Sequence, residues 1–392
     1  MSLFFVGSLQ LQFRNLVDSG WFHLYEPKVQ SMLSLHVLGT SSAKPTNERS
    51  VSGSFLNAPG GPVLIDCGEG MQQRIAKHDR WLRSIGSNER TRMSKIRAIF
   101  LTHGHLDHCW GLLPMLHSMD KDSRTARLEI HGPTSNAALE WIKKHPGEIP
   151  REDSGIQMGD LAIQFEWWKK HGGKDGAFRF DVDWILHPVD DIGADGLEIP
   201  NQKEIKIHAY VTDHGVPSLA YRFSTLDLPG RFDSEAAIAD GHDKESIKSM
   251  AIDSQYSGQY RGPKRTSRSI LISGDTTRHV PSFSRLNGQV DVLIHESTFD
   301  DSLENKAASY GHSTARDAAN IAANMDAKML CLTHFSSRFQ DVTHLEEEAR
   351  MVHPDSYVLE DGDRISIDTD GTILLDRKQP EDWQLIREVQ KS

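Results

Sequence analysis

Three imidazoles and one carboxylate fall within six consecutive residues, 103–108, whose sequence is HGHLDH. His103 and His105 are two residues apart and can face one side of an extended turn, while Asp107 and His108 face another direction. So short a loop cannot easily direct all four groups at one ion, but it can direct one pair at each of two ions. Imidazole and carboxylate ligands suit zinc, and also manganese or iron. With 20 histidines in 392 residues, a chance cluster of this kind is improbable, so the stretch predicts a two-metal site.

Three further candidate ligands, His214, Asp275 and His334, follow predicted strands. Taken singly, each has an ordinary structural interpretation. A lone histidine is more often structural or part of a core than a ligand, and Asp275, in Ser-Gly-Asp-Thr, could cap a helix or a turn. Together with HGHLDH they make seven ligands, which suit two metals with a bridging carboxylate and an open water position.

Short apolar strands must position these groups, because each group follows one. Ligands commonly bind at strand ends along the edge of a layered α/β sheet, and scattered structural histidines are not expected to keep falling there. The strands read from apolar runs are Ile96–Leu101 before HGHLDH, Ile205–Val211 before His214, Ser269–Ser273 before Asp275, Val290–His295 before Glu296, and Met329–Thr333 before His334.

The succession of predicted strands and helices indicates one α/β domain over residues 31–378. Residues 1–30 are expected to form an irregular leader and residues 379–392 a C-terminal tail. Residues 145–205 are expected to be an insertion with short strands, and the polar residues 225–268 an excursion from the fold. Further strands are expected at Leu33–Leu38, Ser54–Leu56, Pro62–Ile65, Leu128–His131 and Leu219–Phe223, and helices at Met71–His78, 110–119, Thr134–Lys144 and Ser313–Met325, the last capped by Ser313 or Thr314.

The composition narrows the class and the compartment. A net charge of −11 and a pI of about 6.0 disfavour a protein coated in basic surface, but not a local basic patch. The three cysteines form no CxxC pair, which favours a reducing compartment over a disulfide framework. The chain lacks a run of about 18 apolar residues and a recognisable signal peptide. We therefore expect a cytoplasmic protein with no membrane partner.

The HGHLDH stretch resembles the HxHxDH signature of the metallo-β-lactamase fold superfamily. Other segments narrow the resemblance to ribonuclease Z, the tRNA 3′-processing endonuclease. These segments are LGTSSA at residues 38–43, IDCGEG at 65–70 with Gln72, HESTF at 295–299 where the family usually has HEAT, GHST at 311–314, and LTHFSSR at 332–338. They follow the family's order from about residue 34 to residue 365 and are far more specific together than HxHxDH alone.

The resemblance implies an αββα sandwich, in which two mixed β-sheets face each other with helices outside. It also implies two divalent metal ions, usually zinc in this family, with manganese or iron as alternatives for the same ligand types. Asp66 is expected to stabilise the ligand loop rather than to bind metal. By resemblance, His103, His105 and His214 hold one ion, Asp107, His108 and His334 hold the other, and Asp275 bridges them.

The resemblance further implies hydrolysis of the phosphodiester that joins the 3′ trailer to precursor tRNA. Two close cations lower the pKa of a bridging water and neutralise phosphate oxygens. By resemblance, His312 protonates the leaving 3′-oxygen and Glu296 orients its ring, and Asp107 joins them as a candidate catalytic residue. Without the family, the residues favour His312 as part of the cap of the following helix over a catalytic role, and Glu296 could be an exposed carboxylate at a strand end.

Ser336, Ser337 and Arg338 are candidate contacts for a phosphate or the terminal nucleotide, because arginine suits bidentate phosphate binding. A solvated loop is the alternative. The partner implied is precursor tRNA, and the resemblance also allows a homodimer in which the arm of one subunit reaches tRNA held by the other.

The chain departs from the family pattern in three places. The slot of the tRNA-gripping arm, residues 225–268, begins with Leu-Pro-Gly but holds no clear copy of the family's PxGP segment. The stretch between Gly132 and His214 is longer than in compact members, and Gly104 and Leu106 replace the Leu and Gly of the family's HLHGDH. The basic residues of the arm slot, which form either a phosphate-contacting patch or a solvated loop, are Arg261, Lys264, Arg265 and Arg268.

Three hypotheses remain from the sequence. The first is a tRNA 3′-endonuclease. The second is a phosphodiesterase for small or cyclic nucleotides or other diesters, for which the acidic charge and atypical arm leave room. The third is a metal-binding module without turnover, against which the full ligand set and His312 argue.

Overall fold

Short apolar runs give this chain many short strands, and strands such as Leu33–Gly39 and Val292–Glu296 are buried at every position. The computed structural model describes residues 33–171, 178–200, 202, 204–253 and 255–390. The sixteen strands in these residues are β1 (Leu33–Gly39), β2 (Gly53–Asn57), β3 (Val63–Ile65), β4 (Ala98–Phe100), β5 (Leu128–Thr134), β6 (Val182–Pro188), β7 (Leu197–Glu198), β8 (Ile205–Val211), β9 (Leu219–Thr225), β10 (Ser269–Ile272), β11 (Val292–Glu296), β12 (Met329–Thr333), β13 (Ser356–Val358), β14 (Arg364–Ile367), β15 (Ile373–Lys378) and β16 (Trp383–Val389). The α-helices in them are α1 (Met71–Ser84), α2 (Leu106–Cys109), α3 (Leu112–Lys121), α4 (Asn136–Lys144), α5 (Leu161–His171), α6 (Ser234–Ala239), α7 (Lys244–Ile252), α8 (Glu304–Tyr310), α9 (Ala315–Asn324) and α10 (Thr343–Arg350).

The strands form two mixed sheets. The first has the order β16-β15-β14-β1-β2-β3-β4-β5-β6 and is parallel from β3 to β6. The second has the order β13-β12-β11-β10-β9-β8-β7 and is parallel from β10 to β13. Because the carboxyl ends of parallel strands meet at one edge, the loops after β3 and β4, and those after β10, β11 and β12, lie together.

The sheets pack face to face, with helices on their outer faces. Phe100 of β4 and Tyr221 of β9 belong to the cluster between the sheets, and their ring centroids are 5.2 Å apart. Side chains alternate along a strand, so Leu64 of β3 packs outward with α1 and α3, and Leu271 of β10 packs outward with α9 and α10. The αββα sandwich is thereby confirmed.

The stretch expected to be an insertion, residues 145–205, contributes to the first sheet. Its strand β6 pairs with β5 over seven residues, and its helix α5 covers that edge. The Phe165 ring packs against the Trp168 and Trp184 rings at 5.7 and 4.8 Å. The sequence pattern did not identify this strand, because β6 is half-buried at most positions and its apolar residues do not alternate with polar ones.

The expected C-terminal tail is also part of the sheet where it is described. Residues 383–389 form β16, which pairs antiparallel with β15. Trp383 packs edge-on against Trp81 of α1 at 4.6 Å, and the Trp81 indole N–H donates to the Gln379 carbonyl at 3.0 Å. Aromatic packing on α1, rather than alternation, therefore anchors this edge strand. The leader expected at residues 1–30 lies outside the described residues.

Smaller differences concern helix ends. The helix expected at 110–119 is α3, which begins at Leu112 and ends at Lys121, and α1 extends to Ser84 rather than His78. Thr134 ends β5, and the following helix begins at Asn136 with Ser135 as its N-cap. Thr314, one of the two expected caps, is the N-cap of α9 and forms a reciprocal capping box with Asp317. In the described residues, no helix is both long and apolar enough to cross a membrane.

Residues 227–267 form a compact unit of their own, which we call the arm unit. Its core consists of Ala237, Ile247 and Tyr260, with further apolar residues of α6 and α7 around them. The other described residues form the large unit, which contains both sheets.

We predict that two buried histidines make the large unit less stable in acid. Burial lowers the pKa of His131 and of His187 to about 4, against about 6.5 in an unfolded chain. Between these values the unfolded chain binds more protons, so stability falls as the pH falls from about 6.5 to about 4, by up to about 1.4 kcal/mol per pH unit for each ring. Replacing both residues by glutamine should flatten this slope, measured as the free energy of unfolding by urea at about pH 5 and about pH 7.

The matched control is His344→Gln, since that ring is 40% exposed; it should keep the wild-type slope. Equal slopes for the double variant and the wild type would show that the buried pair does not cause the acid sensitivity.

Candidate active site

The histidine loop, residues 103–108, leaves the carboxyl end of β4 and turns directly into α2. His105 is the N-cap residue of α2 and has extended backbone angles. Asp107 and His108 lie on the first turn of that helix, whereas His103 and His105 precede it. The start of the helix therefore aims the two pairs of side chains at different points.

The first cluster combines His103 and His105 with His214, from the loop after β8, and one oxygen of Asp275, from the loop after β10. His105 Nδ1 lies 3.1 Å from both His103 Nε2 and His214 Nε2. Asp275 Oδ2 lies 3.6 Å from His103 Nε2 and 3.9 Å from His214 Nε2.

The second cluster combines Asp107 and His108 with His334, from the loop after β12, and the other oxygen of Asp275. His334 Nε2 lies 3.1 Å from His108 Nε2 and 3.4 Å from Asp107 Oδ2. Asp275 Oδ1 lies 3.4 Å from the Nε2 atoms of both His108 and His334. The seven candidate metal ligands are thus brought together around Asp275.

The two clusters fit divalent ions. Ligands bound to a tetrahedral zinc ion at about 2.0–2.1 Å lie about 3.3 Å from one another, close to the spacing within each cluster. Asp275 Oδ1 is buried and has no hydrogen-bond partner among the described residues. An unpartnered buried carboxylate oxygen is costly unless a cation faces it. The donor types and the orphaned oxygen therefore suit one ion in each cluster, with Asp275 between them.

Hydrogen bonds outside the clusters fix which ring nitrogens face inward. His214 Nδ1 donates to the Gly311 carbonyl oxygen at 2.7 Å. His334 Nδ1 donates to Thr298 Oγ1 at 2.9 Å, because that hydroxyl itself donates to a carboxylate. In a neutral ring with a donating Nδ1, the inward Nε2 carries a lone pair, which is the form that binds metal.

Asp66 stabilises the histidine loop through hydrogen bonds from three donors. It accepts hydrogen bonds from the Thr102 backbone N–H at 2.7 Å, from the Thr102 hydroxyl at 3.0 Å, and from His108 Nδ1 at 2.8 Å. The Thr102 hydroxyl also lies 3.1 Å from His103 Nδ1, from which it can accept. Asp66 thus stabilises the loop, as expected, and orients a ring in each cluster through these bonds.

Three residues at the site have backbone angles that side chains other than glycine rarely adopt. Asp66 has a φ of 57°, His334 of 61° and Ala43 of 61°. The Ala43 backbone N–H donates to Asp107 Oδ2 at 2.6 Å. Such strain persists where surrounding contacts enforce it, and it concentrates at functional sites.

Glu296 links the second cluster to His312. Its Oε1 accepts from His312 Nδ1 at 2.9 Å, and its Oε2 accepts from the Thr298 hydroxyl at 2.6 Å. Thr298 in turn accepts from His334, so one buried carboxylate orients both imidazoles. His312 Nδ1 also lies 3.9 Å from Asp275 Oδ2, and its side chain is 16% exposed. The ring therefore stands at the rim of the clusters.

The electrostatics separate His312 from His103 and His105. Burial and neighbouring imidazoles lower the pKa of His103 and of His105, which favours neutral rings. Burial would lower the pKa of His312 too, but the charge of Glu296 and its hydrogen bond outweigh that effect and raise the pKa to about 9. His312 can therefore carry a proton at neutral pH, which a general acid requires.

The candidate substrate residues lie just beyond His334. Arg338 is exposed, its Nε donates to Ser336 Oγ at 3.0 Å, and its guanidinium lies 5.0 Å from the Phe299 ring centroid. That ring is 6.0 Å from the His312 ring. Ser337, between them in the chain, is half-buried. The structure places this cationic loop beside His312.

The segment 157–164, part of the expected insertion, braces both loops of the first cluster. The Gln164 side-chain amide donates to the Gly104 carbonyl at 2.6 Å, and that of Gln157 to the Gly215 carbonyl at 2.7 Å. A Cβ on Gly104 would lie 2.0 Å from the Gly159 carbonyl oxygen. The approach of this segment therefore explains why glycine stands at position 104, where the family commonly has leucine.

The expected basic patch is largely committed to internal contacts, so that interpretation is corrected. Within the arm unit, Arg261 donates to the carbonyls of Met250 and Ala251 at 2.8 and 2.9 Å and holds the unit together. Arg265 Nε donates to the Pro229 carbonyl at 3.0 Å, and Lys264 pairs with Asp227 at 2.7 Å. In the large unit, Arg268 pairs with Asp291 at 3.3 Å. A run of cations in sequence does not reveal which carbonyls and carboxylates will meet it.

Thr102 and Thr298 are site residues to which the sequence analysis gave no role. Each is a hydroxyl residue close to a strand end and beside a candidate site residue, and each bonds to both a carboxylate and an imidazole. A threonine just after a strand and within two residues of a candidate site residue is the sequence signal they carry.

The family model of the metallo-beta-lactamase superfamily matches residues 46–243, which include the histidine loop and His214. The crystal structure of human tRNase Z, short form, has a TM-score of 0.54 to this chain at 22% identity, covering 85% of this chain and 98% of its own. This likeness concerns the fold. Fold and clusters together define a protein of the metallo-β-lactamase superfamily, which uses divalent metal ions.

Two relatives define the family more closely. A ribonuclease Z of Methanothermobacter thermautotrophicus is 32% identical over 344 residues, covering 84% of this chain and 95% of its own length. A ribonuclease Z of Gemmatimonas aurantiaca is 31% identical over 349 residues, covering 86% of this chain and 96% of its own. The chain belongs to the ribonuclease Z family.

We predict that Asp66→Asn weakens metal retention about 10- to 100-fold, the usual cost of losing a carboxylate that orients a metal-binding histidine. The amide keeps the shape but removes the charge that fixes His108. The measurement is bound metal per chain during competition with a chelator. Asp363→Asn, at another fully buried carboxylate that pairs with Arg377, is the control. Equal retention in Asp66→Asn and wild type would refute the orienting role.

Proposed function

We propose that this protein is a metal-dependent endoribonuclease that removes the 3′ trailer from precursor tRNA. The observation that carries the proposal is the Glu296–His312 pair, which stands at the rim of a double His/Asp cluster in a chain of the ribonuclease Z family. A proton donor beside a two-ion centre suits hydrolysis of a phosphodiester whose leaving group is a poor one.

Two zinc ions are the proposed cofactors, because imidazole and carboxylate oxygen are ligands that zinc prefers. When bound, the ions supply Lewis acidity and an activated water. The proposed ligands are those of the two clusters, with Asp275 shared between them. Asp107 belongs to the catalytic machinery in this proposal, since it faces both His108 and His334.

His312 is the proposed proton donor. As the oxygen of a water molecule adds to phosphorus, the bond between phosphorus and the 3′-oxygen breaks, and that oxygen takes the proton from His312 Nε2. The proton that the water loses passes to solvent, and a proton from solvent restores His312. Glu296 holds Nδ1, so Nε2 is the nitrogen that faces outward. The products are a tRNA with a 3′-hydroxyl and a trailer with a 5′-phosphate. Arg338 and the Ser336–Ser337 pair are the proposed contacts for the adjacent phosphate or terminal nucleotide.

The arm unit is the proposed site of contact with the body of the tRNA. Residues 227–267 contain seven Asp or Glu and six Lys or Arg, a net charge of −1, so a general positive field does not carry this contact. Lys244 and Lys248 are exposed and four residues apart on α7, which places them on one helix face. They are the proposed phosphate contacts. A homodimer is the proposed assembly, and the molar mass in solution tests it.

We predict that His312→Ala lowers kcat on precursor tRNA by about 10²- to 10⁴-fold, the usual contribution of a positioned general acid. Metal content should not change. The loss should be much smaller for a p-nitrophenyl phosphodiester, because its leaving group departs without a proton. The measurement is the rate of wild type and of His312→Ala on both substrates. His344→Ala, at a histidine whose side chain is 40% exposed, is the control. An unchanged rate on precursor tRNA would exclude the proton-donor role.

We also predict that excising the arm unit abolishes cleavage of precursor tRNA but spares a small chromogenic phosphodiester. The excision is feasible because Thr225 and Arg268, in the large unit, already pair through a backbone hydrogen bond of 2.8 Å. A two-glycine link can then replace residues 227–267. An intact protein that turns over small diesters but cleaves no precursor tRNA would instead favour a small-diester phosphodiesterase.

A further inference from the structure

Three large apolar side chains are exposed at the edge of the first cluster. Leu106 is 58% exposed and lies between His105 and Asp107; Trp110 is 48% exposed and follows His108 by two residues. The Trp110 backbone N–H donates to the Leu106 carbonyl at 2.9 Å. This helical spacing of four places both side chains on one face of the turn.

The third side chain comes from the bracing segment. Met158 is 53% exposed, and its carbonyl shares the Gln164 amide with the Gly104 carbonyl, at 3.4 and 2.6 Å. The next residue, Gly159, lies against the His105 ring: a Cβ on it would be 3.7 Å from His105 Cδ2. Single exposed apolar residues are ordinary, but these three belong to segments that are bonded together around a candidate metal ligand.

We propose that Leu106, Trp110 and Met158 form a subsite that stacks an unpaired nucleobase of the RNA next to the scissile phosphate. The inference rests on the proposed function and names the part of the substrate that this edge receives. A polynucleotide held at the clusters must continue past them on both sides of the cleaved bond. Arg338 supplies a cation on the His312 side, whereas this edge offers neutral, flat or flexible surface.

A nucleobase fits this edge for a physical reason. Every base has a π-face, and an exposed tryptophan is the side chain best suited to stack on it without reading its sequence. The Met158 and Leu106 side chains are apolar and flexible, so they can pack against the part of the base that Trp110 does not cover. None of the three side chains is charged, so none competes with the phosphate for cations. Leu106 stands where the family's HLHGDH has glycine, so the platform is a feature of this chain.

The test is a double-mutant comparison between protein and RNA. Wild type and Trp110→Ala are assayed on precursor tRNA and on copies with an abasic nucleotide at each position flanking the cleavage site in turn. We expect Trp110→Ala to raise KM about tenfold, with kcat and metal content unchanged. At one abasic position the wild type should lose as much, and Trp110→Ala should lose nothing further. Trp110→Phe should restore most of the affinity.

Met351→Ala is the matched control, because Met351 is an exposed apolar residue at the end of α10 and should leave both substrates unaffected. Independent, additive losses from Trp110→Ala and from every abasic position would overturn the subsite, as would an unchanged KM in Trp110→Ala.

A binding assay separates this inference from the proposed function. Anisotropy of a labelled single-stranded oligonucleotide, with and without an abasic nucleotide, measures stacking without cleavage. If the wild type cleaves no precursor tRNA but still discriminates the two oligonucleotides through Trp110, the subsite stands and the proposed function fails. If it cleaves precursor tRNA and Trp110→Ala binds both oligonucleotides like the wild type, the subsite fails and the function stands.

Discussion

The structure depends on one electrostatic constraint: imidazole nitrogens and carboxylate oxygens converge on a small buried volume. His105 Nδ1 faces the ring nitrogens of His103 and His214 at 3.1 Å each, and the outer nitrogen of His214 is already committed as a donor. Asp275 adds a carboxylate oxygen that has no hydrogen-bond partner among the described residues. Such an arrangement costs free energy unless cations balance it. Apo protein should therefore carry its strain here, and metal binding and local stability are two aspects of the same interaction.

The fold meets this constraint through its strand ends. The first sheet is parallel around β4 and the second from β10 to β13, so β4, β10, β11 and β12 deliver their following loops to one edge. β8, which carries His214 in its following loop, runs in the same direction as β10 because both pair antiparallel with β9. Buried carboxylates then take up the outer nitrogens: Asp66 holds His108, and Glu296 holds His312 directly and His334 through Thr298. The strands that precede the ligand loops are rigid, and hydrogen bonds fix the orientations of the imidazole rings. Both limit how far the ligands can move apart. Preorganisation of this kind is what a two-ion site needs.

The sequence predicted the candidate ligands from local signals, because a polar group follows each short apolar strand. The αββα sandwich was instead implied by the resemblance to the ribonuclease Z family. The sequence did not predict β6 or β16, whose packing rests on aromatic contacts such as Trp81 with Trp383, which are distant in sequence. It also gave Thr298 no role, because the bond to His334 joins two different strand ends. The same limit misassigned Arg261, whose partners are backbone carbonyls that leave no trace in residue types.

In the proposed function, chemistry and substrate choice are carried by different parts of the chain. The clusters and His312 are built from strand ends that the fold holds rigidly, and they can act on any phosphodiester that reaches them. The proposed contacts with the substrate lie in other residues, those of the bracing segment 157–164, the arm unit and the 336–338 loop. Gly104 connects the two, because its missing side chain admits the bracing segment to within contact of the histidine loop. A substitution that adds a side chain at Gly104 would fill this space and alter the surroundings of His105 without replacing a ligand. The geometry of the first cluster therefore limits how the bracing segment can evolve to change substrate choice.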